Sequence, residues 1–144
     1  SFDLSESLPS ICEPYRLIAK AKKVDFSLDI QEECPLHTVK KNFEKILSNL
    51  LSNAVSYTKP GHSVTVVLNA HQIEIMNECV PIKAEKLNRV FEPFYRPDFA
   101  RDRKDGGNGL GLYIVDTLSK ALELSYTFKP MENPSGMCFT LFLS

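Results

Sequence analysis

The chain is 144 residues long, 43% apolar, with 17 basic and 18 acidic side chains for a formal net charge of −1. That length suits one domain with a full core, spanning 1–144. The near-balance of charge excludes a general polyanion-binding surface, so no nucleic-acid partner is expected and any phosphate site must be local. No apolar run approaches the ~18 residues of a membrane span, and no secretory leader is recognisable, so this piece is not expected to insert in a membrane. Cys12, Cys34, Cys79 and Cys138 are scattered, with no CxxC and no nearby histidine pair. They read as reduced thiols of a cytosolic protein rather than disulfides or a metal site. The start at Ser1-Phe2-Asp3 suggests a piece of something longer.

Residues 5–22 are predicted helical, with Leu8, Ile11, Cys12, Tyr15, Ile18 and Ala19 on one face; Pro9 and Pro14 predict a late start or a kink near Pro14. Val24, Phe26, Leu28 and Ile30 alternate as a strand. The strongest helix is 38–57, apolar at Val39, Phe43, Ile46, Leu47, Leu50, Leu51, Ala54 and Val55, and it ends at the turn Lys59-Pro60-Gly61. The runs 63–69 and 72–77, joined through Ala70-His71, form a hairpin. A shorter helix fits 84–90, and Pro93 and Pro97 then open a charged, glycine-rich loop over 97–108. Helix 110–123 follows, with Leu110, Ile114, Val115, Leu118, Ala121 and Leu122 on one face. Strands 125–129 and 137–143 flank the turn Asn133-Pro134-Ser135-Gly136. This order predicts a two-layer α/β sandwich, one mixed sheet covered by three main helices.

Three places carry chemistry. Gly106, Gly107, Gly109 and Gly111 fall within six residues and lead straight into a helix. Such an entry lets backbone approach a ligand closely and presents free N–H groups that suit phosphate; it equally describes a flexible loop before a helix. The spacing fits neither the dinucleotide fingerprint nor a Walker loop. On helix 38–57, 100° per residue groups Lys45, Asn49, Asn53 and Ser56 away from the apolar stripe. Two asparagines one turn apart can converge on one target, and an amide oxygen suits Mg²⁺, although a solvated polar face has the same pattern. Asn77 follows Ile73 and Ile75 on the inward face of its strand, so it should be partly buried. A buried amide needs a partner, either backbone or a ligand such as an adenine amino group.

Taken together, these places resemble the ATP-binding domain of sensor histidine kinases, in the superfamily that also holds gyrase, Hsp90 and MutL. The resemblance covers the whole chain. Phe43-Glu44-Lys45-Ile46-Leu47-Ser48-Asn49-Leu50-Leu51-Ser52-Asn53-Ala54 is similar to the N box, Val90-Phe91-Glu92-Pro93-Phe94-Tyr95-Arg96 to the F box, and Gly107-Asn108-Gly109-Leu110-Gly111-Leu112 to the G2 box. The resemblance implies the Bergerat (GHKL) fold, with ATP and Mg²⁺ as ligands. It implies Asn53 as the Mg²⁺ ligand and Asn49 beside it at the phosphates, both in catalytic positions. Tyr57 would lie near adenine, Arg96 and Arg101 would reach toward phosphate, and 97–108 would form the ATP lid. Gly107, Gly109 and Gly111 would let lid and helix close over the triphosphate, and Leu110, Leu112 and Ile82 would line the nucleotide site. The G1 box departs from the usual Asp-x-Gly-x-Gly: here Asn77-Glu78-Cys79-Val80-Pro81-Ile82 puts asparagine at the adenine-reading position and no glycine after it. That variant, with its following Pro-Ile, is similar to the vancomycin-resistance sensor kinases. Ser56 stands where a lysine is often found.

None of His37, His62 and His71 sits in a phosphoacceptor context, so the acceptor is expected on a separate dimerisation domain of the same kinase, with a response regulator as the further partner. The resemblance thus implies the cytoplasmic domain of a bacterial inner-membrane sensor that transfers the γ-phosphoryl of ATP to a histidine. Two other readings stand beside it. One is a serine kinase of the anti-sigma-factor type, against which the F box argues. The other is a degenerate docking module without catalysis, against which the N and G2 boxes argue.

Overall fold

In the computed structural model, which describes residues 1–95 and 111–144, a single carboxylate organises the N-terminus. Asp3 caps helix α1 (Leu4–Lys22) by accepting from the Ser5 amide at 3.0 Å and the Ser5 hydroxyl at 2.7 Å. The same oxygen accepts from the Cys34 amide at 3.1 Å. These bonds, the Ser5 hydroxyl foremost, hold the Asp3 carboxyl below its ordinary pKa. They also explain a ladder that sequence periodicity does not reveal: β1 (Phe2–Asp3) pairs antiparallel with β3 (Pro35–Leu36).

The late start predicted for α1 does not occur, and the helix runs on through Pro9 and Pro14. Both prolines are exposed, so each removes one helical hydrogen bond and displaces nothing from the core. The cap and the burial of Leu4, Leu8, Cys12 and Ala19 outweigh that loss. Ile18, placed on the buried face by spacing, is instead 54% exposed. Helix α2 (Lys40–Ser56) buries Phe43, Ile46, Leu47, Leu50, Leu51, Ala54 and Val55, the predicted stripe apart from Val39, an exposed N-cap residue. Its C-terminal carbonyls are capped from two sides. Lys22 Nζ donates to Val55 O at 2.8 Å and Ser56 O at 2.9 Å, and the buried Thr58 hydroxyl donates to Ala54 O at 2.7 Å.

Five strands form the main sheet, β2 (Asp25–Ile30), β4 (Ser63–Leu68), β5 (Gln72–Glu78), β6 (Tyr126–Met131) and β7 (Gly136–Phe142), in the order β2-β4-β5-β7-β6. β2 and β4 are parallel, as the α2 crossover between them requires, and every other pair is antiparallel. The β4–β5 hairpin turns on Asn69, whose side-chain oxygen accepts from the His71 and Gln72 amides at 2.9 and 3.0 Å. The segment predicted as one helix over 84–90 divides into α3 (Ala84–Leu87) and a 3-10 turn (Asn88–Phe91). Helix α4 is described over Gly111–Ala121 and buries Leu112 and Val115, whereas Ala121, expected on its apolar face, is exposed. One side of the sheet and the helices share a single core, in which Val64, Val66, Leu68, Ile73, Ile75, Phe139 and Leu141 meet the apolar faces of α1, α2 and α4. This is the mixed-sheet sandwich with three main helices.

Candidate nucleotide site

The polar side of α2 faces the start of α4. Asn49, Asn53 and Ser56 are half-buried and Lys45 is exposed. Asn49 donates its amide to Lys45 O at 2.8 Å, which fixes its rotamer and turns its oxygen elsewhere. A methyl group built on Gly111 would lie 3.6 Å from that oxygen, so Gly111, the first described residue of α4, lies beside Asn49. The Asn53 side chain, one turn along α2, makes no hydrogen bond among the described residues. A half-buried amide with a spare oxygen fits a hard cation held jointly with phosphate. Among the described residues no group of three or more His, Cys, Asp or Glu side chains gathers as a metal site.

Asn77 lies at the far end of β5, between Val64 of β4 and Met137 of β7. It is 8% exposed, on the inner face with Ile73 and Ile75, as alternation predicted. Backbone crowds it from one side: a Cβ on Gly136 would collide with Asn77 O, so only glycine fits where β7 begins. The Ile82 amide reaches Met137 Sδ at 3.4 Å, folding the Pro-Ile segment back over this strand end. Cys79 continues the ladder, its amide donating to Ser135 O at 3.2 Å. Burial raises the Cys79 thiol pKa.

A second tie, unseen in the sequence, fixes α4 to the sheet edge. Tyr126 of β6 donates its hydroxyl to Asp116 Oδ1 at 2.7 Å, and Lys120 reaches Asp116 Oδ2 at 3.0 Å. Burial pushes the Asp116 carboxyl upward, yet the bonds from Tyr126 and Lys120 leave it below its ordinary value; burial and the Asp116 carboxylate both push the Tyr126 phenol up. Phe91 packs on this edge, 5.2 Å from the Tyr126 ring and 6.0 Å from Phe128. The i,i+4 spacing of Asp116 and Lys120 is visible in the sequence, but the cross-element partner is not.

The predicted site residues thus fall into two groups. Asn49, Asn53, Gly111 and Leu112 gather where α2 meets α4, with the half-buried Tyr57 capping the end of α2. Asn77 and Ile82 gather at the end of β5. Arg96, Arg101, Gly107, Gly109, Leu110 and the proposed lid over 97–108 lie outside the described residues. All four cysteines are free. No described helix is long and apolar enough to cross a membrane.

Comparison with known proteins identifies the family and the fold. The family described as "Histidine kinase-, DNA gyrase B-, and HSP90-like ATPase" matches residues 38–144. The sensor histidine protein kinase HK06 of Streptococcus pneumoniae is 35% identical over 100 residues, covering 69% of this chain and 22% of that protein. The sensor protein VanSB of Enterococcus faecalis is 33% identical over 146 residues, covering 98% of this chain and 32% of that protein. The chain therefore spans about a fifth to a third of these relatives. Among solved structures, the mycobacterial sensor histidine kinase MprB superposes with a TM-score of 0.82 at 21% identity, covering 99% of this chain and 94% of that one.

Proposed function

The chain belongs to the histidine kinase-, DNA gyrase B- and HSP90-like ATPases, as the catalytic ATPase domain of sensor histidine kinases, and we propose that it binds Mg-ATP and passes the γ-phosphoryl group to a histidine on a separate dimerisation domain. The observation that carries this reading is the juxtaposition of Asn49 and the Gly111 end of α4, with Asn53 one turn away. The Asn49 amide oxygen and the Gly111 backbone lie close together there, which suits a metal-bound triphosphate.

Each residue then has a role. Asn53 would hold Mg²⁺, which supplies charge neutralisation at the phosphates when bound. Asn49 orients beside it, and the N–H groups at the start of α4 take phosphate oxygens. Arg96 and Arg101 add cationic contacts, and Gly107 and Gly109 allow lid backbone to approach. Asn77 accepts from the adenine amino group, with Tyr57, Ile82, Leu110 and Leu112 lining the base and sugar. Transfer of this kind depends on positioning and neutralisation. Asn49 also bears on the reaction type, because an amide one turn before the metal asparagine is a poor base for activating water. That favours phosphotransfer over hydrolysis. In the intact protein the product would be passed to a response regulator, from the cytoplasmic side of a bacterial inner-membrane sensor.

Nucleotide titration with and without Mg²⁺, followed by incubation with ATP and the matching dimerisation domain, tests the reading. Mg-dependent ATP binding and acid-labile phosphohistidine on the added domain are expected. Acid-stable phosphoserine on a protein partner would point to the anti-sigma type of kinase, and absence of nucleotide binding to a docking module.

A further inference from the structure

Glu78 takes no part in the proposed phosphotransfer, yet it closes the sheet next to the residue proposed to read the base. Strand β5 ends at Glu78, which pairs with Gly136 of β7, whereas the ladder between β5 and β4 ends one residue earlier, at Asn77 and Val64. The last pair of a ladder is the first to open. Beyond this one the Glu78 side chain takes over. Its Oε1 accepts from the Ser63 amide at 2.7 Å and from the Ser63 hydroxyl at 2.9 Å, and His62 Nδ1 stands 3.7 Å from the same atom.

The Glu78 side chain is only 23% exposed, and an ionised acceptor makes each of these bonds stronger than a bond between neutral groups. Alternation puts that side chain on the face of the sheet opposite Asn77. Glu78 therefore does not share a face with a base held at Asn77, and whatever it contributes must pass through the backbone that joins the two residues. We infer that Glu78 is a positioning residue for the base: by clamping Ser63 at the start of β4 it keeps β5 closed at Asn77 and so fixes where the Asn77 amide meets adenine, a role that rests on the adenine contact proposed above for Asn77.

Mg-ATP and Mg-tripolyphosphate, which carries phosphates without a base, are the probes, titrated against the wild-type chain, Glu78→Ala, Asn77→Leu and the double variant. Glu78→Ala is expected to weaken Mg-ATP about three- to tenfold, the worth of the one hydrogen bond it would misplace, and to leave Mg-tripolyphosphate unchanged. In the Asn77→Leu background the same substitution should cost no further ATP affinity. Ser63→Ala removes one of the two donors, should weaken Mg-ATP in the same sense, and serves if Glu78→Ala does not fold. Equal weakening of both ligands, a further loss in the Asn77→Leu background, or undiminished ATP affinity in the folded variants overturns the role of Glu78. Failure of the adenine contact itself has a different signature: Asn77→Leu alone would then bind Mg-ATP as the wild type does, and the inference would go with it.

Discussion

Two residues dominate at the smallest scale, one for what it offers and one for what it lacks. Asn53 lies off the buried stripe of α2 and spends its side chain on no described partner, so truncating it should spare the fold. Asn53→Ala is expected to weaken Mg-dependent ATP binding by at least ~2 kcal/mol, as charge-assisted contacts are lost, with far-UV circular dichroism unaltered. Undiminished affinity in the folded variant would remove the metal assignment. Gly136 makes the opposite case. A methyl group there meets Asn77 O and comes within 2.8 Å of Met131 Cε. The strands at that point can separate only by distorting the ladder. Gly136→Ala should lower unfolding stability by about 1–3 kcal/mol in denaturant titration and weaken ATP binding as well, because Asn77 moves with its own carbonyl.

Elements differ in how far the sequence reveals them. Helix α2 was legible because its stripe repeats over almost five turns, and the burial of Asn77 was legible because strand alternation leaves it no other face. The β1–β3 ladder was not, since two residues are too few to display a period. The path of α1 through Pro9 and Pro14 was not, since the burial of Leu4, Leu8, Cys12 and Ala19 that outweighs the lost bonds is made against elements distant in sequence. The Asp116–Tyr126 tie was hidden for the same reason, and it makes a pH prediction. The folded Asp116 carboxyl lies below its unfolded value, so its contribution is complete above roughly pH 5 and is lost as pH falls through the folded value. The Tyr126 phenol is raised, so its contribution is complete below about pH 10 and is lost as pH rises toward the folded value. Tyr126→Phe should cost about 1.5 kcal/mol near neutrality, as expected for a hydrogen bond to a charged group. The deficit relative to wild type should shrink at both extremes. A deficit constant from pH 3 to 11 would show that the hydroxyl contributes nothing beyond packing.

At the scale of the whole molecule, the proposed transfer puts the acceptor on a domain other than the one proposed to bind nucleotide. The exposed His37, His62 and His71 lie in loops and turns on the periphery, and His71 is engaged with the Ser144 hydroxyl at 2.9 Å. The chain incubated alone with labelled ATP should therefore bind nucleotide without acquiring label; stable self-labelling on any of the three would contradict transfer to a separate domain. The two outer strands of the sheet matter for a different property. β2 ends the sheet on one side with Asp25, Ser27 and Asp29 exposed, and β6 ends it on the other with Lys129 and Pro130 exposed. Charges along one rim disfavour a foreign strand, and a proline on the other has no N–H to offer it. Both rims thus resist the open-ended growth to which unpaired sheets are prone, and the domain can remain a discrete particle when its concentration is high.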